Sequence, residues 1–423
     1  MEIYTVFASL LVVAALFGYV NHRFLRLPST IGLMVLALVS SLLLVGLGHL
    51  GVSGVLKVRE LISQIDFHDV LMQVMLSFLL FAGSIHVNVT TLGRERLPVF
   101  TLATVGMLLS TVLVGTVMYW LVPLFGLQAR YIYCLLFGAL ISPTDPIAVL
   151  GILQQARIPK PLEVNIVGES LFNDGVAVVV FVSLFQIAEV GWEKMSIGAV
   201  GMLFLREAVG GIVLGALLGY GGYLMLRSID NYKVEVLITL ALVTGGTALA
   251  TGLHTSGPLA IVVAGLIIGN RGRELGMSDI TRRYVDMFWE ILDEILNAVL
   301  FVLIGLEILV LDIDRFTFML GVVAIGVVLA ARFVSVVIPV SLLSFRHSFT
   351  QYSVRILTWG GLRGGISVAL ALSLPPSRAR DLIVGITYVV VIFSIVVQGL
   401  TIGSLVKRLG LSTAPEDSAS SSH

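Results

Sequence analysis

An all-α polytopic membrane protein is the fold class this 423-residue sequence predicts, on three observations. Hydrophobic residues make up 57% of the chain and charged ones only 12%, with a mean hydropathy of +1.02; a soluble domain carries about twice that share of charge. Apolar segments of about 20 residues, the length that crosses a bilayer as a helix, recur thirteen times. Two of those segments are interrupted by proline- or glycine-rich breaks that hold a charge.

In chain order the spans fall near 3–20, 28–47, 69–87, 98–122, 131–155, 161–188, 200–226, 233–252, 256–270, 284–311, 317–345, 352–374 and 381–406. The first has no basic leader, so it is expected to be retained as a span. The fifth contains Ile141-Ser142-Pro143-Thr144-Asp145-Pro146. Its two prolines remove backbone donors and clash with the carbonyls behind them, so the helix is expected to break there. The sixth carries Gly168-Glu169-Ser170-Leu171-Phe172-Asn173-Asp174-Gly175. Ionisable groups in a bilayer cost a few kcal/mol each and mark functional sites. The tenth begins with Glu290, Asp293 and Glu294, which read first as a solvated helix face and second as a funnel for cations. Asn297, one turn deeper, is expected to brace the core helices or bond a neighbouring backbone. The eleventh holds Arg332 in Ala330-Ala331-Arg332-Phe333, and the twelfth is broken by Thr358-Trp359-Gly360-Gly361-Leu362-Arg363-Gly364-Gly365. No stretch between spans is long enough for a soluble domain. Residues 1–410 are therefore expected to form one transmembrane domain, and the low-complexity residues 411–423 a disordered tail.

The two breaks occupy the fifth helix of each of two six-helix repeats, spans 1–6 and 8–13, joined by span 7. An offset of seven spans, being odd, inverts one repeat relative to the other. Paired interrupted helices in inverted halves point to a transport site near the bilayer midplane. Half-helix ends aim opposite partial charges at such a crossing, and Asp145 and Arg363 are each suited to neutralise one cluster. For Asp145 this capping role is favoured over direct cation ligation.

Orientation follows from the basic residues, because cytoplasmic loops carry the excess. One side receives most of the 26 lysines and arginines, among them Arg23, Arg26, Arg94, Arg96, Arg282, Arg283, Lys407 and Arg408. That side is expected to be cytoplasmic, with the N-terminus outside, the C-terminus inside and the chain in the cell membrane. Zero net charge suggests no nucleic-acid partner. Cys134, the single cysteine, excludes an internal disulfide and a cysteine metal cluster, and reads as a small core residue. His254, at a span end, reads as a cap or interface residue rather than a pH sensor. Nothing in the chain implies a cofactor.

At about 100° per residue, Ser170 and Asp174 share one strip of the sixth span, and Glu169 and Asn173 share the strip beside it. An ionised Asp174, the Ser170 hydroxyl and oxygens of Thr144 at the fifth-span break supply hard ligands to a small cation. The same carboxylate also accepts a proton, so proton and cation compete for one negative charge. Glu169 needs a cation of its own; Arg332 and Arg363 are the two within reach. Breaking one partner of such a buried pair costs about 3–5 kcal/mol.

The fifth-span break, the Glu169-to-Gly175 run and Gly360-Gly361-Leu362-Arg363-Gly364-Gly365 together resemble the electroneutral sodium/proton antiporters of the prokaryotic NhaP and animal NHE type. All three occur in the expected order and spacing, and the span count extends the resemblance over residues 1–410. The resemblance implies a homodimer in which a core domain, spans 4–6 and 11–13, moves like an elevator against an interface domain formed by the other spans, with the first and eighth at the contact. It implies that Asp174 binds ion and proton, that Ser170 and Thr144 help ligate the cation, that Asn173 and Asp145 shape the crossing, and that the partner of Glu169 is Arg332. Relatives with two adjacent aspartates, and lysine at the arginine position, are electrogenic. Asn173 and Arg332 here imply one proton per monovalent cation, Na+ or also Li+ or K+, serving pH and sodium homeostasis. The rival readings are an intramembrane aspartyl protease on Asp145 and Asp174, a serine protease on Ser170, a transporter of another small solute such as an organic anion, and a structural or receptor protein. Thirteen spans and an arginine near the aspartates count against the first, and the lack of an in-membrane base against the second. A site that exposes Asp174 rather than a cation counts against an anion carrier, and two broken helices against a structural role.

Overall fold

A computed structural model describes residues 3–49, 75–145, 153, 158–191, 197–309, 311 and 313–410. Pro146, the far half of the fifth span, the start of the third and the tail lie outside the described residues. Among the described residues every regular element is helical: α1 Ile3–Val20, α2 Ser29–His49, α3 Leu76–Ile85, α4 Val89–Arg94, α5 Arg96–Phe125, α6 Tyr131–Ile141, α7 Lys160–Val190, α8 Ile197–Arg227, α9 Tyr232–Gly252, α10 Gly257–Ile267, α11 Asp279–Glu307, α12 Arg315–Leu343, α13 Ser353–Trp359, α14 Gly365–Leu372 and α15 Arg378–Arg408. Eight of these are long and apolar enough to cross a membrane. The shorter pieces include α6, α13 and α14, the half-helices expected at the breaks. α11 carries Asp286, Glu290, Asp293 and Glu294 on its first half and so is apolar only over its second.

Local signals place the helix ends. Asn231, Ser256, Ser278, Asp314 and Ser377 each accept a backbone N–H from the first turn of the following helix, the usual satisfaction of orphan donors. α9 ends with His254 in the left-handed region at φ 53°, exposed, its amide donating to the Thr251 carbonyl. That is a C-terminal turn position and fits the cap reading.

α7 is the central rod, packed against α6, α5, α8 and α10. Leu171 and Phe172 enter one apolar cluster with Phe81, Ile261 and Trp289. Ala177, Val180 and Phe181 enter a second with Phe137, Leu303 and Tyr388. A rod buried on both sides can hold polar groups away from lipid. By contrast α1 and α8 leave Val12, Leu16, Met202 and Leu217 exposed, as expected of helices that face lipid or a second protomer.

Without a hydrophobic drive between helices in lipid, close backbone approach does the packing. Gly211, Gly215 and Gly219 repeat every fourth residue along α8 and face α10. A Cβ at Gly215 would lie 2.3 Å from the Ala260 carbonyl oxygen, and one at Gly211 2.7 Å from that of Ser256. Gly215→Ala is therefore expected to push α8 off α10 and cost about 1–3 kcal/mol, read as a lower melting midpoint of the solubilised protein. Gly18→Ala, which meets nothing within 4 Å, serves as the control and is expected to leave the midpoint unchanged.

Candidate functional site: the crossing of two broken helices

The two breaks meet beside α7. α6 stops at Ile141 and residues 142–145 run non-helically; α13 stops at Trp359 and residues 360–364 do the same before α14. Backbone groups freed at membrane depth must find other partners, and they find them largely in each other. The Asp145 amide donates to the Leu362 carbonyl at 2.8 Å, tying break to break. The Arg363 guanidinium donates to the carbonyls of Ser142 and Pro143, at 2.8 Å to the latter, and so sits at the negative C-terminal end of α6. The Ser394 hydroxyl accepts the Arg363 amide at 2.9 Å, and the Gln398 amide donates to the Trp359 carbonyl at 2.9 Å. Ser394 and Gln398 lie on a π turn of α15, a device common near functional sites. The sequence reading missed both, although two polar residues in an apolar span were a legible signal.

Two glycines of the second break are required by close approach. A Cβ at Gly364 would lie 2.2 Å from a carboxylate oxygen of Asp145, and one at Gly361 2.8 Å from Nε of Arg332. The Asp145 side chain thus lies against the backbone that opens α14, near its positive N-terminal end.

α7 supplies the remaining groups. Glu169 is 1% exposed and pairs with Arg332 through both carboxylate oxygens, at 2.9 Å for Nη2 to Oε2. Arg332 also donates from Nε and Nη2 to the Leu357 carbonyl at 3.2 and 3.0 Å, so it joins α7, α12 and the C-terminal end of α13. Arg363, the other cation weighed for Glu169, is engaged with α6 instead. On the neighbouring strip the Ser170 hydroxyl lies 2.9 Å from that of Thr144, and from the Glu169 strip the Asn173 amide donates to Thr144 Oγ1 at 3.0 Å. Thr144 is therefore gripped by both strips of α7, and Asn173 braces the break. Asp174 lines a cavity of about 80 Å3 together with Thr144, Asp145, Ser367 and Asn297. Among the described residues no hydrogen bond or ion pair engages its carboxylate.

Beyond Asn297 lies a second cavity of about 1010 Å3, lined by Arg23, Arg26, Glu290, Asp293 and Glu294 as well as Asn297. Glu290, Asp293 and Glu294 line this cavity opposite the two arginines, with Glu290 and Glu294 exposed as a solvated face requires; helix periodicity alone does not show what stands opposite them. A further polar group escaped the sequence reading. Glu95 accepts from Asn165 at 3.2 Å and meets Nε2 of His347 at 2.9 Å, joining the starts of α5 and α7 to the loop after α12. Nothing in the spacing of these three residues pairs them.

Comparison with known proteins decides the family. The family model described as sodium/hydrogen exchanger, transmembrane, matches residues 11–408. The chain belongs to this family. Members of the sodium/hydrogen exchanger family transport Na+ and H+, so the chain is a membrane antiporter, is not an enzyme and needs no cofactor. The protease readings of Asp145, Asp174 and Ser170 fall with that. The chain is 54% identical over 407 residues to the Na+/H+ antiporter NhaP of Pseudomonas aeruginosa, covering 95% of this chain and 96% of that one. It is 35% identical over 396 residues to the Na+/H+ antiporter NhaH of Halobacillus dabanensis, covering 92% and 94%. Its fold is similar to that of the sodium proton antiporter MjNhaP1 from Methanocaldococcus jannaschii at pH 8, with a TM-score of 0.76 at 21% identity over 98% of this chain.

Proposed function

We propose that this exchanger binds Na+ and H+ in alternation at Asp174 and exchanges them one for one. One observation carries the reading: a buried carboxylate without a partner among the described residues faces a small cavity, beside hydroxyls of Ser170 and Thr144 that are already held in place. The fixed charges around it are otherwise matched. Glu169 is balanced by Arg332 and Arg363 by the C-terminal carbonyls of α6, and Asp145 lies against the start of α14, whose partial positive charge this reading assigns to it. That leaves one negative charge to be neutralised by either a proton or a monovalent cation.

In this reading Asn173 supplies a hydrogen bond where a second carboxylate would add a second exchangeable charge, so the cycle is electroneutral. The cation is Na+, with Li+ and K+ as further candidates for the same oxygens. The core of spans 4–6 and 11–13 carries the site between the two faces of the cell membrane in an elevator movement, within thirteen spans arranged as two inverted repeats. The basic loops and the acid-lined cavity face the cytoplasm, the N-terminus lies outside, and two protomers associate along exposed apolar faces that include α1.

The test is exchange in proteoliposomes, followed as cation-induced dissipation of a pH gradient. Moving one net charge through 100 mV is worth about 2.3 kcal/mol. An electroneutral cycle is expected to run at the same rate with and without a potassium-diffusion potential, and a clear voltage stimulation contradicts one-to-one exchange. Run as a pH series, the rate is expected to be bell-shaped, because protons displace the cation at low pH and are too scarce to exchange at high pH.

A further inference from the structure

We propose that Asn297 is a cation ligand supplied by α11, which passes the ion between the acid-lined cavity and Asp174; this rests on the reading of Asp174 as the exchange site. Asn297 is 2% exposed, and among the described residues neither its amide nitrogen nor its amide oxygen has a partner at full hydrogen-bond geometry, the Asp293 carboxylate one turn earlier being the side chain near enough to interact with it. A bracing asparagine would engage a neighbour, as Asn173 does with Thr144. An amide left without a partner in a membrane interior persists where it has work with a ligand.

Its position shows which ligand. Asn297 borders both cavities: the large one with Glu290, Asp293 and Glu294, and the small one with Asp174 and Thr144. A cation moving between them passes this side chain, whose carbonyl oxygen is a hard donor of the same kind as the site oxygens. The ionisable neighbour of Asn297 on α11 is Asp293, one turn earlier, so the acidic lining leads to the amide and the amide leads to the site.

In the proposed elevator division, Asn297 lies in the interface body and the other ligands in the core. α11 is fastened to α2, where the Ser41 hydroxyl donates to the Gly305 carbonyl at 2.8 Å, and a Cβ at Gly305 would lie 2.4 Å from that of Ala37. Against the site, α11 offers Leu300, one turn beyond Asn297, on which the first turn of α14 rests: a Cβ at Gly365 would lie 2.6 Å from Leu300 Cδ1. An elevator step that carries Asp174, Ser170 and Thr144 away leaves Asn297 behind with α11. The amide oxygen therefore belongs to the ion's shell on one side of the membrane only.

Sidedness is the test. In proteoliposomes of uniform orientation, Na+ is presented to each face in turn and the KM for Na+ measured for Asn297→Leu, which keeps the branching at Cγ and removes the oxygen. The KM on the face served by the large cavity is expected to rise about tenfold, with the KM on the other face and the melting midpoint held. Asn297→Gln, which keeps an amide oxygen, is expected to restore most of that affinity, and Asn297→Ala, which removes the oxygen without added bulk, carries the same test if the leucine variant does not assemble. An unchanged KM on the cavity face, or an equal rise on both faces, overturns the assignment. Asp174→Asn run in parallel separates the two claims. If it still exchanges, the site reading fails; if it is silent while Asn297→Leu keeps its KM, only the role of Asn297 fails.

Discussion

Asp174→Asn is expected to reduce Na+-driven proton exchange to the level of protein-free vesicles while leaving the protein folded. The substitution preserves shape and removes the only charge at the crossing that no fixed partner neutralises among the described residues. An amide neither takes up a proton in the working pH range nor offers a negative charge to a cation, so both half-cycles stop together. Folding is expected to survive because the native carboxylate makes no hydrogen bond among the described residues that asparagine would lose, and because burying a neutral amide is less costly than burying a charge. Two companions sharpen the result. Ser170→Ala removes one hydroxyl from the pair at 2.9 Å and is expected to raise the KM for Na+ about tenfold with exchange retained. Asp145→Asn is expected to lower stability more than rate, because its carboxylate lies against the start of α14 and helix-end charges contribute about 0.3–1 kcal/mol each. Measurable electroneutral exchange by the Asp174 variant at any pH would remove that residue from the centre of the cycle.

The second large effect is on stability. Arg332→Met is expected to cost about 3–5 kcal/mol, because it strands the Glu169 carboxylate in a site where it is 1% exposed and also releases the Leu357 carbonyl at the end of α13. Glu169→Gln is expected to cost less, since the amide oxygen still accepts from the guanidinium and Arg332 keeps its bonds to Leu357. The double variant Glu169→Leu with Arg332→Met leaves no buried charge unmatched and is expected to recover a large part of the loss. A melting series of the single and double variants in detergent checks this. If the double variant melts as low as Arg332→Met, the cost lies in packing around α13 and not in the stranded charge. Exchange by the double variant reports a separate matter, namely whether a pair within the core is needed for movement or only for assembly.

The helical class, membrane residence and the positions of both breaks were legible in the chain because each follows from local chemistry. Long apolar runs need internally satisfied backbone in lipid, and Pro143 with Gly360, Gly361, Gly364 and Gly365 makes continuous helices at those points unfavourable whatever surrounds them. The pairing of Ser170 with Asp174 along one strip of α7 was likewise set by helix geometry. Choices between distant partners were not legible. Spacing offered Glu169 two arginines of equal charge; the packing of α12 against α13 brings Arg332 to it, while the approach of the second break to α6 engages Arg363 with carbonyls. The surroundings of Glu290, Asp293 and Glu294 were hidden for the same reason, since a helix face becomes a cavity wall only when the chain near Arg23 and Arg26 is folded opposite it. Glu95, Asn165 and His347 lie far apart in sequence and carry no shared motif, so only the assembled bundle joins them.

The division between the two kinds of information is physical. Composition, hydropathy and helix breakers act through neighbours in sequence, and they determined that this chain lives in a membrane, where it breaks, and which charges it commits to those breaks. Electrostatic pairing and cavity formation act through space, and the tertiary structure decided which charges are paired and which one stands at a cavity without a partner among the described residues. Asn297 falls on the far side of that line: in the sequence it is an ordinary polar residue one turn below an acidic face, and in the folded molecule it is a buried amide that borders both the large cavity and the small one beside Asp174.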